Sequence, residues 1–170
     1  MNLIMSQATT SDLKKIIEIR DLVLLKNIKS LDNGFLITEY SIKDYAFFLR
    51  ETEHFYVFRN ERGEIVSFIL GGFNNCSDKI IDARKHIENN DFFYIKQICV
   101  DLEHSYNGIG TESYQTLFKQ ISDITKNVYL SIITNPENKA AINFHKKLGF
   151  KEFKEYKKGE YTATIWKIDI

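Results

Sequence analysis

Runs of aromatic and β-branched residues, interleaved with apolar positions at helical spacing, predict a mixed α/β fold. Residues 2–8 read as a short strand, and Ser11 is placed to cap a helix whose apolar residues recur at helical spacing. A second helix is expected near Ser41, with Asp44 in the capping-box position. The apolar face predicted for this helix consists of Ile42, Tyr45, Ala46 and Leu49.

The rest of the chain alternates strands with helices. Two β-rich runs flank Asn60–Gly63 and predict a hairpin. Strands are expected at 93–100 and 128–134, each followed by a helix, and two final strands join at Lys157–Glu160. The polar segment 73–91, with a short helix expected after its first residues, is either functional or a surface excursion. The resulting order, β-α-α-β-β-β-α-β-α-β-β, predicts one α/β domain over residues 1–170.

Composition and charge narrow the function classes. The 170 residues carry 23 Lys and Arg against 23 Asp and Glu, so the formal net charge is zero. This balance argues against a protein that binds nucleic acid or anionic membranes through bulk positive charge. No apolar run approaches the roughly 18 to 20 residues that span a bilayer, and the start lacks a basic signal-peptide region. We therefore expect a cytoplasmic protein, and the His and Cys residues show no metal-ligand spacing.

A glycine pair marks the turn after the strand at 93–100. Gly108-Ile109-Gly110 stands where this strand gives way to a helix, whose free N–H groups and positive dipole end suit a phosphate. Taken alone, the pattern also fits an ordinary tight turn. No Gly-Lys-Ser/Thr follows, so the segment is not a Walker loop.

Two polar residues share one face of the helix after the strand at 128–134. Asn138 and His145 stand seven residues apart, on the side that carries Ala141, Phe144 and Leu148. Polar side chains on a buried face need hydrogen-bond partners. The pattern is compatible with two interpretations. In one, the asparagine caps the helix and the histidine is a hydrogen-bonded core residue; in the other, the two residues have a functional role.

Taken together, the two motifs resemble those of the GCN5-related N-acetyltransferase (GNAT) superfamily. The resemblance rests on ICVDLEHSYNGIGTESYQTLF and NPENKAAINFHKKLGF, in that order, and on the element order of nearly the whole chain. It implies a mixed, mostly antiparallel sheet with a splayed central strand pair and about four flanking helices. Ser105 departs from the Arg or Gln usual in the family's glycine loop.

The resemblance also implies where acetyl-CoA binds, namely between the strands at 93–100 and 128–134. Backbone groups would polarise the acetyl carbonyl and cradle the pyrophosphate, and an asparagine would hold the pantetheine arm. The implied cofactor-binding residues are Ile98, Cys99, Val100, Tyr106, Asn107, Gly108, Ile109, Gly110, Thr111, Asn138 and Ala141.

Catalytic roles are implied for two further residues. His145 stands where the family commonly has the tyrosine that protonates the departing CoA thiolate. Tyr94 and Lys96 occupy positions where the family often has a glutamate base. Tyr94 could relay a proton through water and Lys96 could bind an acidic substrate, although a solvated strand face explains both. The base is left unassigned.

The sequence thus predicts an acetyl-CoA-dependent N-acetyltransferase that acts on a primary amine of a small molecule or peptide. No nucleic-acid or membrane partner is expected, and the resemblance is compatible with a homodimer. Two alternatives stay open, because no carboxylate stands at the expected base positions. One is a catalytically degenerate acyl-CoA sensor, and the other is a protein-interaction module on the same fold.

Overall fold

The computed structural model describes residues 2–104 and 107–170, and within them seven strands and four α-helices follow the predicted order. The strands are β1 (Ile4–Gln7), β2 (Phe55–Arg59), β3 (Ile65–Phe73), β4 (Phe93–Val100), β5 (Asn127–Asn135), β6 (Lys151–Lys158) and β7 (Tyr161–Asp169). The helices are α1 (Leu13–Leu22), α2 (Ile42–Glu51), α3 (Ile109–Ile121) and α4 (Lys139–Leu148).

The strands form a sheet in the order β1-β2-β3-β4-β5-β7-β6. Neighbouring strands are antiparallel except β4 and β5, which run parallel. These two pair over Phe93–Ile95 and Val128–Leu130 and then diverge. This divergence confirms the predicted splayed pair in a mostly antiparallel sheet, and it opens a gap in the middle of the sheet.

A β-bulge lies in β4 where it begins to leave β5. Leu70 of β3 pairs with Gln97 and Gly71 pairs with Ile95, so Lys96 is an extra residue without an opposite partner. Gly71 is required here, because an added Cβ would lie 2.6 Å from the Tyr94 carbonyl oxygen. The bulge turns Lys96 and Gln97 toward the same face of the sheet.

The helices cover the two faces of the sheet in pairs. Helices α1 and α2 bury Ile16, Tyr45 and Phe48 against one face, and α3 buries Tyr114 with Leu117 against the other. Helix α4 packs on the same side as α3. The gap between β4 and β5 therefore has α1 and α2 on one face of the sheet and α3 and α4 on the other.

Two details of the first helices differ from the prediction. The cap predicted at Ser11 lies at Thr9, whose N–H donates to the Asp12 carboxylate at 2.9 Å and so begins a 3₁₀ turn ahead of α1. The Ser41 cap of α2 is confirmed, but Ile42, predicted on the apolar face, is 56% exposed. Phe48, three residues after Tyr45, fills the buried face instead.

The segment between β3 and β4 folds back onto the protein. Ile80 and Ile81 are fully buried, and the predicted short helix is a 3₁₀ turn at Arg84–His86. The Arg84 guanidinium donates to the backbone carbonyls of Asn74 and Cys76 and so ties the segment together. Among the described residues, no helix has the length and apolarity needed to span a membrane.

Candidate active site

A cleft of about 530 Å³ occupies the gap between β4 and β5. Its walls come from both diverging strands, from the N-terminus of α3, from α4, and from the chain at 32–38 that links α1 to α2. Residues from both faces of the sheet line this cleft, so it joins the α3/α4 side to the α2 side.

The edge of β4 that faces the cleft presents free backbone groups. The Asp101 N–H donates to the Val66 carbonyl at 2.9 Å, which fixes the alternation of hydrogen bonds between β4 and β3. By this alternation Cys99 turns its backbone toward β3, whereas Ile98 and Val100 turn theirs toward the gap. All three predicted β4 residues line the cleft, but only Ile98 and Val100 turn their backbone groups toward it. Cys99 contributes a buried free thiol.

The start of α3 forms one end wall of the cleft. Gly108 caps the helix with a φ of +77°, and Ile109, Gly110 and Thr111 follow it along the lining. An added Cβ at Gly110 would lie 2.9 Å from Cζ of Phe144, so this glycine permits the close approach of α3 to α4. Asn107 lies beside Gly108, on the rim of a shallower depression. The prediction for Tyr106 falls outside the described residues, as does the departure at Ser105.

Asn138 forms part of the opposite wall, at the N-terminus of α4. Its side chain is 3% exposed, and its amide nitrogen donates to the Phe35 carbonyl at 2.8 Å. Among the described residues, Oδ1 of Asn138 has no hydrogen-bond partner. A buried acceptor without a partner is costly, so this atom fits a ligand that brings an N–H into the cleft. A pantetheine amide is such a group.

His145 lines the cleft from the last turns of α4 and is 5% exposed. Its Nδ1 lies 2.7 Å from the Ala141 carbonyl and therefore carries the proton, while Nε2 accepts from the Tyr114 hydroxyl at 2.7 Å. Burial lowers the pKa of His145 to about 4, so the ring is neutral at pH 7. The sequence allowed either a hydrogen-bonded core histidine or a histidine at a functional site. His145 combines the two, because both ring nitrogens have protein partners and the ring also lines the cleft. Its catalytic role stays a prediction.

The pKa of His145 makes the free energy of unfolding depend on pH. In the unfolded chain this group titrates near 6.5, so below that pH the unfolded state binds a proton that the folded state rejects until about pH 4. Stability is therefore fully present above pH 6.5 and falls as the pH falls toward 4. At about 1.4 kcal/mol per pKa unit, the loss from pH 7 to pH 5 is on the order of 2 kcal/mol.

His145→Phe is expected to remove about that much of the pH dependence, measured by urea denaturation at pH 5, 6 and 7. The variant also loses the bond to Tyr114, but that cost is a constant offset and leaves the pH slope unaffected. Equal slopes in the wild-type protein and the variant would show that the folded chain does not hold this ring neutral.

A chain of hydroxyl groups lies beside the cleft, which Ser131 lines and behind which Tyr94 is buried. The Tyr94 hydroxyl donates to Oδ1 of Asp82 at 2.8 Å and lies 3.0 Å from Oγ of Ser131. The Tyr156 hydroxyl donates to the same Ser131 oxygen at 3.0 Å. Burial raises the pKa of Tyr94 well above its usual range, so Tyr94 keeps its proton and can only relay one. Its catalytic role also stays a prediction.

Asp82 is the functional candidate that sequence reasoning missed. It enters the cleft from the segment between β3 and β4, and its Oδ2 accepts from Lys158 at 2.6 Å and lies 3.7 Å from Nζ of Lys96. Burial raises its pKa, but Lys96 and Lys158 outweigh this effect and hold the pKa below its usual value. No local pattern could have revealed it, since an aspartate in a polar loop is ordinary. Among the described residues, no group of His, Cys, Asp and Glu could hold a metal ion.

The geometry defines an α/β protein whose cleft forms where two parallel strands diverge within a mostly antiparallel sheet. The chain belongs to the Acetyltransferase (GNAT) family, whose sequence model matches residues 22–150. An N-alpha-acetyltransferase of Sulfurisphaera tokodaii is 29% identical over 153 residues, which cover 86% of this chain and 79% of the relative.

Solved structures share this fold at lower identity. Ard1 from Thermoplasma volcanium superposes with a TM-score of 0.72 at 19% identity, covering 100% of this chain and 99% of that one. A chain of the NatC complex bound to Gag peptide and CoA gives a TM-score of 0.68 at 18% identity, with coverage of 100% and 99%. At these identities the structural likeness establishes the fold.

Proposed function

We propose that this protein transfers the acetyl group of acetyl-CoA to a primary amine of a small molecule or peptide. One observation carries the proposal: the cleft combines a free strand edge, a helix N-terminus and an unpartnered buried oxygen, that of Asn138. A thioester with a long amide-bearing arm and a diphosphate matches these three features. The related N-alpha-acetyltransferase and the CoA-bound neighbour support the same substrate.

In this proposal the free edge of β4 orients and polarises the acetyl group. Backbone N–H groups of Ile98 and Val100 face the gap, where they can donate to amide carbonyls of the arm and to the thioester oxygen. The start of α3, from Gly108 to Thr111, faces the diphosphate with free N–H groups and the positive end of its dipole. Asn138 accepts from an amide N–H of the arm, and Ala141 lines its path.

Acetyl transfer forms a carbon–nitrogen bond and breaks the carbon–sulfur bond. The amine nitrogen attacks the carbonyl carbon and gives up a proton, and the departing thiolate takes one up. His145 is the proposed hydrogen-bond donor to the departing sulfur, through the Nδ1–H that the Ala141 carbonyl holds in this structure. Because the ring is neutral, it keeps this proton, and the proton that the thiolate takes up balances the one that the amine gives up. Tyr94 is the proposed relay, through water, for the proton of the amine. Asp82 is not the base, because Lys96 and Lys158 hold its pKa below the usual value, so no base is assigned. The cytoplasmic location and the homodimer stay predictions.

Thermal denaturation with and without acetyl-CoA tests the donor half of this proposal. At a hundred times its dissociation constant, a ligand specific for the folded state stabilises by about 2.7 kcal/mol. We expect a clear rise in melting temperature with acetyl-CoA and with CoA, and none with adenine alone. No shift at millimolar acetyl-CoA would leave only the protein-interaction alternative. A shift without any amine-dependent turnover would favour the acyl-CoA sensor, which the absence of a carboxylate at Tyr94 and Lys96 also favours.

A further inference from the structure

Three charged side chains meet on the α2 side of the cleft, and we call Lys96, Asp82 and Lys158 the Lys-Asp-Lys cluster. They come from the β4 bulge, from the segment between β3 and β4, and from the end of β6. All three line the cleft, whereas the groups proposed to hold acetyl-CoA on α3 and α4 lie on the other side of the sheet. The cluster therefore lies where an acceptor would approach the acetyl group.

The cluster has one more positive charge than negative. Oδ1 of Asp82 accepts a hydrogen bond from the Tyr94 hydroxyl, and Oδ2 accepts one from Lys158 at 2.6 Å. Its distance of 3.7 Å from Nζ of Lys96 exceeds a hydrogen bond. Over the whole cleft, the two carboxylates Asp32 and Asp82 face the three lysines Lys96, Lys147 and Lys158, which again leaves one positive charge in excess.

Of the two lysines in the cluster, Lys96 has the positive charge that is less well balanced by the Asp82 carboxylate. Its side chain is 5% exposed, and its ammonium lies over the rings of Tyr40 and Phe48, 5.3 and 5.7 Å from their centroids. Burial lowers the pKa of Lys96 more than Asp82 raises it, so the cation is under-stabilised by the protein alone. A nearly buried ammonium in this setting is stabilised by an anion that enters the cleft.

A second cation would be a poor occupant of the same place. The acceptor amine could in principle pair with Asp82, but both oxygens of that carboxylate already accept hydrogen bonds. Lys96 and Lys158 would repel a further positive charge at close range. The arrangement thus disfavours acceptors such as polyamines, whose other amines stay charged.

We propose that Lys96 and Lys158 bind a carboxylate of the acceptor, so that the substrate is a primary amine that also carries a carboxylate. This inference rests on the proposed acetyl transfer and names its acceptor class. The carboxylate is that of a free amino acid or of an acidic side chain at the start of a peptide, because both bring the same anion to a short distance from the amine.

The test compares matched acceptors in an acetyl-transfer assay. Free amino acids are paired with their amides, peptides that begin with Asp or Glu are paired with those that begin with Asn or Gln, and a polyamine is included. We expect kcat/KM to be about tenfold or more higher for the carboxylate member of at least one pair. Which pair responds identifies the source of the carboxylate. Equal rates within both pairs, or a preference for the polyamine, would overturn the proposal.

Substitutions of Lys96 test whether the Lys-Asp-Lys cluster causes the preference for carboxylate-bearing acceptors. Lys96→Met is expected to reduce the ratio within the responding pair to near one while the KM for acetyl-CoA stays unchanged, and Lys96→Arg should retain the preference. Lys151→Met, at an exposed lysine of β6, is the matched control. A Lys96→Met protein that melts like the wild type yet keeps the preference would refute the role of Lys96.

A binding measurement separates this inference from the proposed function. If no amine is acetylated, the transfer proposal fails, and the carboxylate subsite is then judged by titrating an N-acetylated amino acid and its amide into the wild-type protein. Tighter binding of the acid, lost in Lys96→Met and kept in Lys96→Arg, supports the subsite. Equal binding of the acid and the amide refutes it.

Discussion

Asn138→Ala is expected to weaken acetyl-CoA binding by about tenfold to a hundredfold, the effect of losing a buried hydrogen bond worth about 1–3 kcal/mol. Among the described residues that line the cleft, Asn138 is the one with a buried side-chain oxygen or nitrogen that has no hydrogen-bond partner, namely Oδ1. The same substitution removes the donor to Phe35, so we also expect a loss of about 1 kcal/mol in the free energy of unfolding. Isothermal titration with acetyl-CoA and urea denaturation measure the two effects separately.

The control for this prediction lies on the same helix. Asn143 is exposed on α4, so Asn143→Ala should leave both the affinity for acetyl-CoA and the stability within error of the wild type. If Asn138→Ala binds acetyl-CoA as well as Asn143→Ala does, Oδ1 does not contact the arm and the proposed path along α4 is incorrect.

Gly110→Val is expected to reduce both stability and cofactor affinity. An added Cβ would come within 2.9 Å of Cζ of Phe144, closer than side chains tolerate, so α3 and α4 must separate or the ring must move. Overpacking of this kind costs about 1–3 kcal/mol. Because Gly110 belongs to the N-terminal turn proposed to face the diphosphate, a displaced helix start should also raise the dissociation constant for acetyl-CoA about tenfold.

A second substitution tests the stated cause. Phe144→Ala removes the ring that the new side chain would meet, so the double variant should be destabilised by less than the sum of the single changes. Additive losses would show that the contact with Phe144 is not responsible. Unchanged acetyl-CoA affinity in Gly110→Val would contradict the placement of the diphosphate at the start of α3.

The element order could be predicted from the sequence, because it rests on local patterns, whereas the residues of the cleft are implied by the resemblance to the GNAT superfamily. The strand at 93–100 is rich in aromatic and β-branched residues, and its predicted bounds agree with the observed ones. The Ser41 cap was likewise recognisable, since a capping box involves residues three apart. The prediction for Ile42 is wrong because helical spacing alone allows two neighbouring faces of α2, and packing on the sheet buries the face that contains Phe48.

The remaining features depend on contacts between distant segments. The bulge at Lys96 is visible only when Gly71 is set against Ile95, and the partner of His145 is Tyr114 on another helix. Asp82 reaches the cleft because Ile81 is buried beside it and Arg84 anchors the segment. None of these pairings has a local sequence signature.

The central claim is that the protein moves an acetyl group from acetyl-CoA to an amine, and amine-dependent release of free CoA measures this most directly. Thiol release is followed with acetyl-CoA, with and without an amino acid or peptide acceptor, and mass spectrometry identifies the product. We predict release that requires the amine, together with an N-acetylated product formed in equal amount. Release at the same rate without the amine, or no acetylated product from any carboxylate-bearing, amide or polyamine acceptor, would contradict it.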